Sequence, residues 1–507
     1  MNIKNIKTYI LSGILALSMS SCLDKYPEDS IRMDQAINTV DDMDKLVYGI
    51  YDSFKSSALY SGNLTILPDL QADFVYCVKG YSNAYGDIYR WKDIKATNTD
   101  IESVYADLYD VINRCNFLLD NVDKVKANTN SDKELDKLEQ YEGEAYFARA
   151  LAYSELIKCF CKAYDSDEQA EKELGVVLTE HYYGNEPQKR ATLKESYDFV
   201  LRDLDKAAEY LKVDEDFTGT LYDEIYFNEY ACHALRARVS LYMHRWDDAI
   251  KYASKVIDSK YYVLASCTQK IGNTSYYQYQ WTAGKSTEGI WKVGFTVNSY
   301  GGALGTIFDN FNYVSYRPDY VPETWVINSF DSNDLRAAAI FTTRTTGYEH
   351  GLQWPLLSKY FGDAEFLNNN ILHVHQPMVF RLSEQYLIRA EAYAMNGEYG
   401  KAGKDISTLR TARYSSYGGN TSMSDESSAM KIIEAERVKE LYMEGFRLND
   451  LKRWHKGFER KAADQPAANF VQSSLKVEKD DPLFVWPIPQ HELEAPGSEI
   501  QPNESNK

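Results

Sequence analysis

Proline is missing from three long windows of this chain, residues 69–186, 188–317 and 378–464. Proline locks φ and lacks an N–H, so long stretches without it leave helices free to run. Helical spacing fills these windows. The stretch 39–56 sets Leu46, Val47, Ile50, Tyr51 and Phe54 on one face, with Thr39 placed to cap it. The stretch 100–121 carries Val104, Leu108, Val111, Cys115 and Leu118 at the same spacing, and 133–163 ends at Cys159-Phe160-Cys161. Thr192-Leu193-Lys194-Glu195 is a capping box that opens a helix through Leu204 and Leu211.

Two segments look alike. His244-Arg245-Trp246-Asp247-Asp248-Ala249 and Asn396-Gly397-Glu398-Tyr399-Gly400-Lys401-Ala402 each follow an Ala-rich helical run. Each places an aromatic three residues before a small Ala. This resembles the turn of a tetratricopeptide helix pair, in which the aromatic packs on the preceding helix and the Ala lets two helices approach. Ala249 and Ala402 stand 153 positions apart, so these are not tandem repeats of about 34 residues. The expected fold is all-α, with tetratricopeptide-like helix pairs forming one scaffold that carries long loop insertions and a few short strands.

Composition narrows the partners. With 44% apolar and 26% charged residues the chain is not disordered, and a formal net charge of −19 argues against nucleic acid or an anionic membrane surface as the main partner. Residues 1–21 read as a signal peptide: Lys4 and Lys7 make a basic start, and Ile10 to Met19 is apolar and too short to span a bilayer. The Met19-Ser20-Ser21-Cys22 ending resembles a bacterial lipobox, which implies lipidation of Cys22. Cys77, Cys115, Cys159, Cys161, Cys232 and Cys267 form no C-x-x-C and are expected as buried free thiols, although an exported protein leaves a disulfide open.

The region 270–380 differs from the rest in its Gly, Asn, Thr and aromatic content. Glu288 to Val293 reads as a short strand with Trp291 in the core. Gly294 to Tyr320 reads as a long ordered loop, and 414–427 as another polar loop. No G-x-S-x-G, H-E-x-x-H or P-loop is present; Gly301-Gly302-Ala303-Leu304-Gly305 lacks the Lys-Ser/Thr ending. His373 and His375 could face one side of a strand, but without an evident third ligand they read as packing or surface histidines. No cofactor and no metal are expected.

The C-terminal half carries a recognisable order of motifs: Phe380-Arg381-Leu382-Ser383-Glu384-Gln385-Tyr386-Leu387-Ile388-Arg389-Ala390-Glu391-Ala392, then Leu409 to Arg413, then Ala435 to Trp454, then Trp486-Pro487-Ile488-Pro489. With Cys22-Leu23-Asp24-Lys25-Tyr26-Pro27 and Glu144 to Tyr153, the set resembles the SusD/RagB family of outer-membrane lipoproteins of Bacteroidetes. The resemblance implies one SusD-like domain over 22–507, with an N-terminal half at 22–270 and a C-terminal half bearing the signature at 271–507. It implies a lipid-anchored, surface-exposed, non-enzymatic protein that binds an oligosaccharide. It also implies that the protein acts as the lid of a SusC-like TonB-dependent transporter. Within the signature, Glu436, Arg437, Glu440, Glu444, Arg447 and Asp450 have spacings that allow ion pairs, and they read as braces rather than catalysts.

The chain has 41 Tyr against 20 Phe, with 8 Trp. Sugar rings lay C–H faces on aromatic rings while their hydroxyls need amides, carboxylates or Arg, so a binding site mixes both on loops. Two stretches qualify. From 73–98 the candidates are Trp91 first, with Asp73, Tyr89, Arg90 and Asn98; Tyr76, Tyr81, Tyr85 and Asp93 lie in the same stretch. From 281–320 they are Trp281, Tyr300, Asn312, Tyr313 and Tyr316. Trp246 and Trp454 belong to structural motifs. A peptide ligand of the RagB kind, a glycoside hydrolase and a pure interaction scaffold are the competing readings.

Overall fold

The computed structural model describes residues 36–80, 82–184, 188–212, 224–348, 351, 353–461 and 474–507. The expected leader, Cys22 and Tyr81 lie outside the described residues. The long helices are α1 (Val40–Ser53), α2 (Asn63–Gln71), α3 (Thr99–Ala127), α4 (Asp132–Phe160), α5 (Leu193–Tyr210), α6 (Glu229–Tyr242), α7 (Trp246–Ser259), α8 (Leu382–Met395), α9 (Tyr399–Arg413), α10 (Glu426–Glu440) and α11 (Arg447–Arg453).

Local chemistry sets their starts. Thr39 and Asp42 close a capping box on α1, and Thr192 and Glu195 close one on α5. Each box satisfies amide N–H groups that the first turn leaves without partners. Val104, Leu108, Val111, Cys115 and Leu118 of α3 are buried, with α3 packed between α1 and α4. Six cysteines, all buried, carry free thiols.

The two look-alike pairs, α6–α7 and α8–α9, stand side by side. Helix α7 packs on α8, and Ala237 and Leu241 of α6, Ala249 and Ala253 of α7, and Ile388 and Ala392 of α8 form one buried cluster with Trp246 at the rim. The small alanines let the helices close up, and the matching turn residues His244 and Gly397 both adopt positive φ, +55° and +74°. The 122 residues between the pairs, 260–381, therefore leave the scaffold and return to it.

That insertion is more ordered than the one strand and long loop expected. Two of its pairings join segments distant in sequence, so local periodicity does not reveal them. The strands that position the site are β1 (Val75–Cys77), which precedes the insertion, and β2 (Gly289–Lys292), β3 (Tyr320–Pro322), β4 (Phe341–Thr345), β5 (Gln353–Leu357) and β6 (Met378–Arg381) within it. β1 pairs with β3, β2 with β6 and β4 with β5, each antiparallel. The β1–β3 pair fastens the N-terminal region to the insertion. The β2–β6 pair leads the chain back into α8.

A knot of buried charge ties the insertion to the signature helices. Glu440 at the end of α10 accepts from Arg381 Nη1 (3.0 Å), Arg413 Nη2 (2.8 Å) and Nε (3.0 Å), and Arg336 Nη1 (3.0 Å). Glu288, beside β2, takes Arg381 (2.6 Å) and Arg413 (2.8 Å) on its two oxygens. Glu440, Glu288, Arg336 and Arg413 are 0% exposed. The arginines draw the Glu440 carboxyl well below the usual carboxylate range against the cost of its burial. Arg437 braces Asp450 (2.8 Å), and Arg447 reaches back to Asp73 (2.8 and 2.9 Å).

Candidate functional site

The β1–β3 pair brings the two stretches singled out in the sequence onto one surface. Beyond β1, Ser82 donates from its amide and hydroxyl to Asp319 (both 2.7 Å), and Tyr320 donates its hydroxyl to the carbonyl of Ala84 (2.6 Å). The loop 310–317 is joined in turn to the β4–β5 hairpin: Gly347 N–H donates to Tyr316 O (2.8 Å), and Tyr348 donates its hydroxyl to Pro318 O (3.1 Å).

Aromatic rings gather at this seam. Phe311 stacks on Tyr316 with centroids 4.5 Å apart and planes at 24°. Tyr313 lies 5.8 Å from Phe311, and Phe361 5.9 Å from it. Tyr313 is 60% exposed and holds φ +67°. Arg344 of β4 lies over the Tyr316 ring (5.3 Å), and Arg317 over the Tyr348 ring (5.7 Å). Asn312 accepts from the amides of Val314 and Ser315 (3.1 and 2.9 Å), which shapes the turn that presents Tyr313.

The loop is held from beneath. His373 Nε2 accepts the Phe311 amide (3.0 Å), and burial lowers the imidazole's pKa, keeping it the neutral acceptor this bond needs. Asp309 ends the short helix Thr306–Asp309; it is 1% exposed, and its Oδ2 has no hydrogen-bond partner. Burial pushes its carboxyl up to about 8, while Arg344 pulls the other way. The glycine run is steric: a Cβ on Gly301 would meet Lys55 O at 2.2 Å, and one on Gly305 would meet Tyr360 O at 1.8 Å.

Of the expected ligand residues, Asn312, Tyr313 and Tyr316 share this face, and Arg90 sits on the adjoining loop, held by Asn83 (2.6 Å) and Asp87 (3.1 Å). The others are placed elsewhere. Asp73 is buried in its ion pair with Arg447. Tyr89 is buried between Tyr320 and the guanidinium of Arg460, and Tyr76 is buried in β1. Trp281 is 2% exposed and lies under Lys359 (4.0 Å) and Arg381 (5.3 Å), so its face is taken by buried cations. Asn98 caps α3, accepting from Asp100 and Ile101. Trp91 is half-buried against Phe458 and Phe484, and its indole N–H donates to Gln71 O (2.5 Å). Tyr300 is exposed but lies by Phe366, apart from the Phe311–Tyr316 stack. Arg344 and Tyr348 escape a reading of the sequence because the β4–β5 hairpin, outside the 281–320 stretch, delivers them; Arg317 lies within that stretch beside Tyr316, and an Arg among the loop aromatics is its cue. His375 is buried against Asp363 (2.6 Å).

Residues 22–241 match the family model described as starch-binding associating with outer membrane, and residues 342–503 match the SusD family model. The chain belongs to the SusD/RagB family. A SusD-like protein of Formosa agariphila is 20% identical, with 90% of each chain covered. Among solved structures, a SusD superfamily protein of Bacteroides thetaiotaomicron superposes with a TM-score of 0.75 at 24% identity, covering 92% of this chain and 99% of that one. A SusD-like carbohydrate binding protein of Bacteroides vulgatus gives 0.71 at 18% identity, covering 90% and 97%. Surface glycan-binding protein A of Bacteroides fluxus gives 0.67 at 19%, covering 92% and 100%. At these identities the superpositions carry the SusD-like fold. They do not carry the binding residues of the SusD-like relatives.

Proposed function

We propose that this SusD-like chain binds a glycan at the face formed by the 310–317 loop, the β4–β5 hairpin and the 82–90 loop. The observation that carries the reading is the exposed Tyr313 beside the Phe311–Tyr316 stack, flanked by Arg317 and Arg344. A sugar needs apolar ring faces and polar hydrogen-bonding groups together, and the rings and guanidinium groups supply both. The rings are anchored by the hairpin and by His373, so little conformational freedom is lost on binding. Named relatives of the same fold that bind carbohydrate or surface glycan support the ligand class.

Capture without bond cleavage is the role this assigns. Lipidation at Cys22 would tether the protein to the outer membrane, facing outward. There it would hand its ligand to a SusC-like TonB-dependent transporter and close over it as a lid. Calorimetry on residues 22–507 against a panel of polysaccharides, their oligomers and peptides tests the ligand class. Binding to at least one glycan, without release of reducing ends, is expected. Binding to peptides with none to any glycan would overturn the reading.

A further inference from the structure

The arginines of this face differ from the others in the molecule. Nearly every described arginine is spent on a carboxylate, from the exposed Arg114–Asp110 pair to the buried Arg149–Asp203 and Arg453–Glu391 pairs. Arg190 and Arg460, which form no ion pair, donate instead to backbone carbonyls. Arg317 and Arg344 stand apart. Among the described residues neither has an ion-pair partner, and neither is buried. Arg317 makes one long hydrogen bond from its guanidinium, to Gly347 O (3.4 Å), and Arg344 has only the Tyr316 ring beneath it. The two flank the same seam, because Gly347 and Thr346 of the hairpin bridge to Tyr316.

Exposed lysines without an ion pair occur elsewhere on the surface, but among the described arginines only these two have neither a carboxylate nor a set of short hydrogen bonds, and both lie on one aromatic seam. Among the described residues, the carboxylates close to them are occupied or uncharged. Asp319 is buried under Ser82, and Asp87 is paired with Arg90. Asp309, the acid nearest in effect to Arg344, holds its proton at neutral pH because it is buried. An aromatic ring holds each guanidinium in place without neutralising it.

We infer that the saccharide taken at this face carries negative charge, as a uronate carboxylate or a sulfate ester, and that Arg317 and Arg344 read it. The inference rests on the glycan reading above. A guanidinium fork matches the paired oxygens of either anion.

The test is calorimetry on residues 22–507 with several oligosaccharide backbones, each in charged and neutralised form. Polyuronide oligomers are set against their methyl esters, and sulfated oligomers against their desulfated counterparts, at low and high NaCl. A charged form should bind at least about tenfold more tightly than its neutral counterpart, and salt should erode the difference. Arg344→Gln and, separately, the exposed Arg317→Gln should each remove most of that preference, weakening the charged form far more than its neutral counterpart. Preference for the uronide arm or the sulfate arm assigns the anion. Equal or tighter binding of neutral forms, or a preference that survives both substitutions, would overturn this inference and leave glycan binding standing. No binding to any oligosaccharide would overturn both.

Discussion

Glu440→Ala is expected to lower the unfolding free energy by about 3–5 kcal/mol, the cost of removing one partner from a buried ion pair. The reason lies in what remains. Arg336, Arg381 and Arg413 are each 0–1% exposed, and each donates to Glu440. Asp334, Glu436, Glu288 and Glu444 retain their contacts, but each of the three guanidinium groups would lose an acceptor in a site closed to water. The knot joins the C-terminal ends of α9 and α10, the start of α8 and the insertion, so its loss loosens the insertion from the scaffold. Urea unfolding of the variant measures the effect. Arg114→Ala is the control: its pair with Asp110 is half-exposed on both sides, and its loss should cost no more than about 0.5 kcal/mol. Equal effects at the two positions would contradict the account of the knot.

Asp309→Asn should make the protein more stable above neutral pH. The native carboxyl titrates near 8, whereas in the unfolded chain it titrates near its ordinary value of 3.8. Between those values the native state keeps a proton that the unfolded chain has released. The contribution of Asp309 to wild-type stability therefore falls as pH rises from about 4 to about 8, at up to about 1.4 kcal/mol per pH unit. Asparagine has no such proton. The stability gap between variant and wild type should widen across that window and reach a few kcal/mol by pH 8. Asp69, pushed to about 7 by its own burial, contributes to both proteins alike and cancels in the difference. Unfolding curves at pH 5 and pH 8 decide the matter, and a gap that does not change with pH would refute the buried, unpartnered carboxyl.

The helical scaffold was legible because its information is local. The Thr39 and Thr192 capping boxes and the buried stripe of α3 fall where spacing places them, and the Trp246 and Tyr399 turns mark pairs that prove to be neighbours in space. The insertion was less legible because its strands pair over long separations, Val75 with Pro322 and Met378 with Lys292. The candidate face was legible in part. A loop rich in Asn and Tyr pointed to Asn312, Tyr313 and Tyr316, which the structure gathers on one loop. The same composition also pointed at Tyr89 and Trp281, and nothing in it separates a ring open to solvent from one lying under Arg460 or Lys359. Asp73 read as a ligand carboxylate for the same reason. Its partner Arg447 lies 374 residues away.

Calorimetry on two variants against the best glycan from the panel tests the central claim most directly. Tyr313 is exposed and makes one long hydrogen bond, so Tyr313→Ala leaves the fold intact and should weaken glycan binding at least about tenfold. Trp91 packs on Phe458 and Phe484, so Trp91→Ala should lower stability while leaving glycan affinity unchanged. The opposite pattern, with affinity lost at Trp91 and kept at Tyr313, would contradict the placement of the site.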